Sequence, residues 1–186
     1  MRLFAYDIEG SDRDLKQGRM YLYDYVISEL FGANVPSTDT GKNGKPIFLP
    51  PYDDYHFNIS HSGSMVVMGI GKSPLGVDIE HIGRVKNYKR LAERFFYEAE
   101  RHRIQAADDP EREFYRIWTF REAFSKLVGV GITLYEREEI DIDYEKDSVS
   151  YDGRRYVFYE YKHSGYCFTL CVEPDEMRPD IEYIKG

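Results

Sequence analysis

The chain of 186 residues predicts an α+β architecture, with helices and antiparallel strands mixed and no regular strand–helix–strand alternation. Three observations carry that reading. Residues 11–32 and 87–128 hold apolar side chains at helical spacing. Residues 57–60, 65–70 and 75–80 alternate polar and apolar or run apolar, as strands do. The stretch after residue 132 mixes acidic, aromatic and β-branched residues around an Asp152-Gly153 turn. With 42% hydrophobic and 16% aromatic residues, the chain can bury the core of one domain or of two small ones.

In order along the chain, Ser11 can cap a first helix whose Leu15, Leu22, Val26 and Leu30 recur near helical spacing, and Gly32 can end it. A loop rich in turn formers runs from Pro36 to Pro46. It leads through Pro50-Pro51 to a short strand, Phe57 to Ser60, after which His61-Ser62-Gly63 reads as a turn. Met65 to Ile70 is a buried strand, Gly71 to Pro74 breaks the chain, and Leu75 opens another strand. Asn87 to Ala107 predicts a helix with Leu91, Phe95 and Ala99 on one face. A further helix runs from about Pro110 to Val128. The rest, from Ile132, reads as antiparallel sheet ending in Tyr166 to Val172.

The chain carries 33 acidic and 25 basic residues, a formal charge of −8. With a pI near 5.2, this argues against nucleic acid or an anionic membrane as a general partner. No apolar run is long enough to cross a bilayer and the first residues lack a signal-peptide pattern, so a soluble cytoplasmic protein is expected. Cys167 and Cys171, four apart on a strand, lie too far apart to bridge and read as reduced packing residues.

The segment Leu75-Gly-Val-Asp-Ile-Glu80 holds the chemistry. Alternation sends Val77 and Ile79 into a core and projects Asp78 and Glu80 together, roughly 7 Å apart. On the last helix Thr119, Glu122 and Lys126 share a face. Taken singly, Asp78 and Glu80 also suit a solvated sheet face, and Glu122 with Lys126 a surface ion pair. Jointly the three carboxylates suggest a hard cation, Mg²⁺ or Mn²⁺, which keeps waters and bridges to phosphates. Lys45, Ser60, His61, Arg121 and Lys126 are candidate phosphate contacts, although none forms a glycine-rich phosphate loop and Ser60 to Ser62 also fits ordinary turn chemistry.

Several motifs stand together in one order: Gly44-Lys-Pro46, Phe57-Asn-Ile-Ser-His-Ser-Gly63, Gly76-Val-Asp-Ile-Glu80, Arg94-Phe-Phe96 and Trp118-Thr-Phe-Arg-Glu-Ala-Phe-Ser-Lys126. In order and approximate spacing the chain resembles the Sfp-type 4′-phosphopantetheinyl transferases, closely from Gly44 to Gly131 and in outline elsewhere. The resemblance implies two similar α+β halves, residues 1–73 and 74–186, forming an intramolecular pseudo-dimer. Coenzyme A and magnesium would sit at their junction, near Ser73. It implies transfer of phosphopantetheine from coenzyme A to a serine of an apo acyl or peptidyl carrier protein, with release of adenosine 3′,5′-bisphosphate. Asp78, Glu80 and Glu122 would be metal ligands, with Glu122 also helping to deprotonate the serine. Lys126 and Arg121 would contact the diphosphate, and Lys45, Ser60 and His61 the nucleotide end. Both halves in one chain would permit a functional monomer. An inactive coenzyme A- or nucleotide-binding regulator on the same scaffold is the alternative.

The chain departs from the family pattern in two places. Position 121 is usually lysine, and arginine changes reach and fork geometry. The N-terminal half is short, with Arg13, Lys16 and Arg19 as substitutes for the basic residues that commonly hold coenzyme A. For docking an acidic carrier, Lys86, Lys89, Arg90 and Arg94 are candidates, three of them repeating every four residues. Fatty-acid, polyketide and nonribosomal peptide carriers all remain open.

Overall fold

The first residues, unassigned by sequence pattern, form a central strand. In the computed structural model, which describes residues 1–9, 14–41, 44–131, 135 and 140–185, β1 (Arg2–Asp7) is followed by α1 (Leu15–Phe31), β2 (Thr38–Thr40), β3 (Pro46–Phe48), β4 (His56–Ser62) and β5 (Met65–Gly71). The second part comprises β6 (Leu75–His81), α2 (Tyr88–Phe95), α3 (Glu98–Ala106), α4 (Pro110–Val128), β7 (Ile142–Asp143), β8 (Ser148–Tyr151), β9 (Arg154–His163), β10 (Tyr166–Val172) and β11 (Ile181–Ile184). The α+β expectation is met. Ser11, Arg13 and the stretch just after Gly131 lie outside the described residues, apart from Tyr135.

Two sheets are stacked between helices. One has the order β11-β1-β5-β4, the other β6-β10-β9-β8-β7, and β2 with β3 forms a separate ribbon. The same local order recurs in both: an opening strand lies antiparallel to the last strand of its unit, which forms a hairpin with the strand before it (β1-β5-β4 and β6-β10-β9). Alternate residues of β1 and β5, including Leu3, Ala5, Met65 and Val67, meet Val77, Ile79, Phe168 and Leu170 of the second sheet in a shared core. The outer face of the first sheet buries Phe4, Tyr6, Val66 and Met68 beneath Leu22, Val26 and Ile27 of α1. The outer face of the second packs Phe158, Cys167 and Cys171 against Ile117, Phe120 and Phe124 of α4. Both cysteines are unbridged and buried.

The sheets do not divide cleanly at Ser73. After β10 the chain leaves the second sheet, and β11 pairs in parallel with β1 at the edge of the first. A split into residues 1–73 and 74–186 therefore has to be corrected for a tail that belongs to the N-terminal sheet.

Helix ends follow capping chemistry. Asp14 caps α1, accepting from the Gln17 N–H at 2.8 Å while Gln17 Oε1 accepts from the Asp14 N–H. Asp109 caps α4 ahead of Pro110, and Gly129, left-handed at φ 74°, ends it. The single helix expected over Asn87 to Ala107 is two. The chain turns at Phe96 and Tyr97, where the Tyr97 N–H donates to Glu100 Oε2 at 2.8 Å, and Ala99 is exposed instead of packed. The strand expected to stop at Ser60 continues to Ser62, so His61 lies in β4 and Gly63, at φ +57°, makes the turn.

Candidate active site

β6 pairs with β10 along one edge only. Its other edge would expose backbone N–H groups, and three side chains of β4 take them. Asn58 Oδ1 accepts from Val77 N at 2.9 Å, Ser60 Oγ from Ile79 N at 3.4 Å and Ser62 Oγ from His81 N at 3.0 Å. The period-2 spacing of the acceptors matches the period-2 spacing of the donors. This comb holds the two halves in register and brings Ser60 and Ser62 beside Asp78 and Glu80. The Ser60 hydroxyl donates to Asp78 Oδ1 (2.8 Å) and that of Ser62 to Glu80 Oε2 (2.7 Å).

α4 completes the site because Gly76 lets it lie directly on β6. A Cβ at position 76 would stand 2.0 Å from the Ala123 carbonyl oxygen and 2.6 Å from the Leu127 nitrogen. With the backbones this close, Glu122 and Lys126 reach the strand carboxylates. The Lys126 ammonium donates to Asp78 Oδ1 at 2.6 Å, to Ser60 Oγ at 3.0 Å and to the Val77 carbonyl at 3.2 Å. The resulting pocket, of about 430 Å³, is lined by Arg19, Ser60, His61, Asp78, Glu80, Arg84, Trp118, Glu122 and Lys126. A larger groove of about 710 Å³ adjoins it and shares Arg19 and Ile59; Lys16, Tyr23, Pro46 and Phe57 also line it.

The pocket sets carboxylates beside cationic side chains. Burial raises the Glu122 carboxyl to about 7, helped by Asp78 and Glu80 and opposed by Lys126. Glu80 is also raised, first by burial and against the Ser62 hydrogen bond. Asp78 Oδ2 is buried with no hydrogen-bond partner among the described residues. Three carboxylates thus press on one another with a spare oxygen between the halves. No ready-made cage of three metal-ligating side chains exists among the described residues. That arrangement suits a hard ion held by carboxylates that completes its shell with water and substrate phosphate. His61 faces cations instead. Burial and then Arg19, Lys126 and Arg84 hold its imidazole below its ordinary range, and Nδ1 lacks a hydrogen-bond partner among the described residues.

Of the residues singled out in the sequence, Asp78, Glu80, Glu122, Lys126, Ser60 and His61 come together here. Two do not. Arg121 was expected at the diphosphate, but its side chain is 0% exposed on the opposite side of α4. It forms a two-pronged pair with Glu100 at 2.9 and 2.5 Å, donates to the Phe95 carbonyl, and lies 4.2 Å from the Tyr135 ring centre and 4.4 Å from that of Tyr97. Position 121 is about 100° around the helix from Glu122 and about 140° from Lys126, and the pairing with Glu100 draws its guanidinium away from the pocket. Lys45 was expected at the nucleotide, but its ammonium donates to the Leu127 carbonyl at 2.9 Å and that of Leu75 at 3.3 Å. It clamps the C-terminal end of α4 from the N-terminal half, and burial lowers its pKa to about 8. Among the docking candidates all four side chains are exposed, yet Lys86 precedes α2, so only Arg90 and Arg94 share a helical face.

The structure also adds residues. Arg84 reaches Glu80 Oε2 at 3.3 Å, and Trp118 walls the pocket. Arg19 links pocket and groove, which turns a possible substitute into a placed side chain. Ser62 and Asn58 belong to the Phe57 to Gly63 motif, and the even spacing of Asn58, Ser60 and Ser62 is the signal in the sequence that could have found them.

Residues 74–171 match the model of the 4′-phosphopantetheinyl transferase superfamily. The 4′-phosphopantetheinyl transferase Sfp of Bacillus subtilis is 38% identical over 159 residues, covering 78% of this chain and 67% of the relative. The transferase psf-1 of Bacillus pumilus is 36% identical over 116 residues, 60% of this chain and 48% of the relative. The transferase gsp of Aneurinibacillus migulanus is 34% identical over 118 residues, 62% and 48%. The chain belongs to the 4′-phosphopantetheinyl transferase superfamily, and its matched part spans about half the length of psf-1 and gsp.

Proposed function

We propose that this chain moves the phosphopantetheine arm of coenzyme A onto a serine hydroxyl of an apo acyl or peptidyl carrier protein, releasing adenosine 3′,5′-bisphosphate. The observation that carries the proposal is the convergence of Asp78, Glu80, Glu122 and Lys126 in one pocket between the halves, opening into a groove lined by Arg19 and Lys16. The intact constellation weighs against the inactive binding-only alternative.

The pyrophosphate of coenzyme A would lie over the carboxylates beside Lys126, and its nucleotide end would extend past His61 and Arg19 into the groove. Lys126 can leave Asp78 for phosphate oxygens, because both are hydrogen-bond acceptors for the same ammonium. The carrier serine oxygen would attack the β-phosphorus as the bond from that phosphorus to the bridging oxygen breaks. Adenosine 3′,5′-bisphosphate departs with the electron pair, and the serine proton passes to Glu122. Glu122 lines the pocket beside Lys126 and is the carboxylate on α4 placed to accept that proton. Asp78, Glu80 and Glu122 would hold Mg²⁺, with Mn²⁺ as a substitute. When bound, the ion supplies neutralisation of the diphosphate charge. In-line positioning and charge stabilisation are the rest of the catalysis.

Carriers of this kind are generally acidic, and the exposed Lys86, Lys89, Arg90 and Arg94 give an overall acidic chain a local basic surface. Charge reversal at Lys89 and Arg90 is expected to weaken carrier binding and leave coenzyme A affinity intact; equal carrier affinity would remove this surface from docking. Among the described residues no helix is long and apolar enough to cross a membrane.

The test is the intact mass of several apo carriers after incubation with the protein, coenzyme A and Mg²⁺. A chelator-sensitive gain of one phosphopantetheine is the expected result. Coenzyme A binding without any gain across fatty-acid, polyketide and nonribosomal peptide carriers would favour a binding-only protein.

A further inference from the structure

Ser62 stands behind the pocket wall, fully buried, in the half of the molecule that carries none of the three carboxylates. A serine hydroxyl has two lone pairs and one proton. At Ser62 the His81 N–H (3.0 Å) and the Arg84 guanidinium (3.2 Å) occupy the lone pairs, and both groups can only donate. The proton is thereby directed to Glu80 Oε2, 2.7 Å away. Ser60 repeats the pattern: the Ile79 N–H and the Lys126 ammonium occupy its lone pairs, and its proton goes to Asp78 Oδ1. Asn58, the third tooth of the comb, accepts the Val77 N–H but makes no hydrogen bond to a carboxylate among the described residues.

We propose that Ser62 is a positioning residue for the cation site: its hydroxyl, polarised in one direction by the edge of β6, holds the Glu80 carboxylate in the orientation from which it faces the pocket. Ser62 itself touches neither substrate nor ion. The proposal rests on the reading of Asp78, Glu80 and Glu122 as cation ligands. Without the hydroxyl, Glu80 is tethered among the described residues only by Arg84, which is largely exposed. Binding an ion then has to order the carboxylate as well as ligate with it. Loss of an outer partner of a metal ligand typically costs 10–100-fold in affinity.

Asn58→Ala is the control, since it removes the same kind of contact to β6 without touching a carboxylate; because Asn58 also lines the groove, coenzyme A is brought to saturation for each variant separately. The experiment is titration of Mn²⁺ at saturating coenzyme A, following free Mn²⁺ by electron paramagnetic resonance, on wild type, Ser62→Ala and Asn58→Ala, each checked by thermal melting. The expected result is binding about tenfold weaker in Ser62→Ala, with wild-type affinity in Asn58→Ala even though both variants melt lower. Wild-type affinity in Ser62→Ala, or equal weakening in Asn58→Ala, would overturn the proposal and leave Ser62 a seam residue. No saturable Mn²⁺ binding by wild type would overturn the cation reading and the proposal with it, a distinguishable outcome. If Ser62→Ala does not fold, Ser62→Cys, nearly isosteric and a weak donor, takes its place with the same expected weakening.

Discussion

β1 and β6 occupy equivalent places in their units, each opening a half and lying beside that half's last strand, yet one is structural and the other presents the site. On the side facing α1, β1 places Phe4 and Tyr6, both fully buried. Facing α4, β6 places Asp78 and Glu80. The edges differ as well. β11 covers the outer edge of β1, whereas the outer edge of β6 is left to three polar side chains of β4. An unpaired strand edge needs partners for its N–H groups, and supplying them with hydroxyls also supplies donors for adjacent carboxylates. A repeated strand order thus yields one polar site, because the C-terminal tail closes the other edge.

The comparison can be broken or sharpened by substitution. Arg121→Met tests whether the cation on the far side of α4 is structural: it leaves Glu100 buried without its charge partner and should cost about 3–5 kcal/mol in urea unfolding. A variant of normal stability with weakened coenzyme A binding would return Arg121 to the pocket. Glu122→Gln keeps size and removes charge. Transfer should fall about 10²–10³-fold with the melting temperature not lowered, whereas wild-type turnover would dismiss Glu122 from the chemistry. Arg19→Ala probes what the N-terminal half contributes. Loss of a charged hydrogen bond to phosphate, about 1.5–3 kcal/mol, should raise KM for coenzyme A at least tenfold, and an unchanged KM would detach the groove from the nucleotide.

The Glu122 carboxyl also makes stability depend on pH. Because the folded protein holds the Glu122 carboxyl near 7, above its ordinary 4.5, the folded state binds more protons than the unfolded state between those values. Stability in chelator should therefore fall as pH rises from 4.5 to 7, and Glu122→Gln should flatten the fall. Each kcal/mol corresponds to about 2–4 °C in melting temperature for a chain of this size. A parallel slope in the variant would assign the pH dependence to other groups.

Local pattern determined much of this protein. Alternation in Leu75 to Glu80 placed Val77 and Ile79 in the core and both carboxylates on the other face, and Asp109, Pro110 and Gly129 set the bounds of α4. The motif order carried the family. These features were legible because strand and helix periods, caps and turns depend on neighbours in sequence. Other assignments were not. The short opening strand, Arg2 to Asp7, needed β5 and β11 to define it. Lys45 and Arg121 lie in the right motifs with the right charge, and nothing local says that one caps α4 or that the other turns to Glu100. Ser62 gains its role only from donors on β6 that arrive from the other half. Which face a side chain presents is fixed by the backbone's own period, whereas what meets that face depends on contacts between residues distant in the chain, and only the tertiary structure decides those.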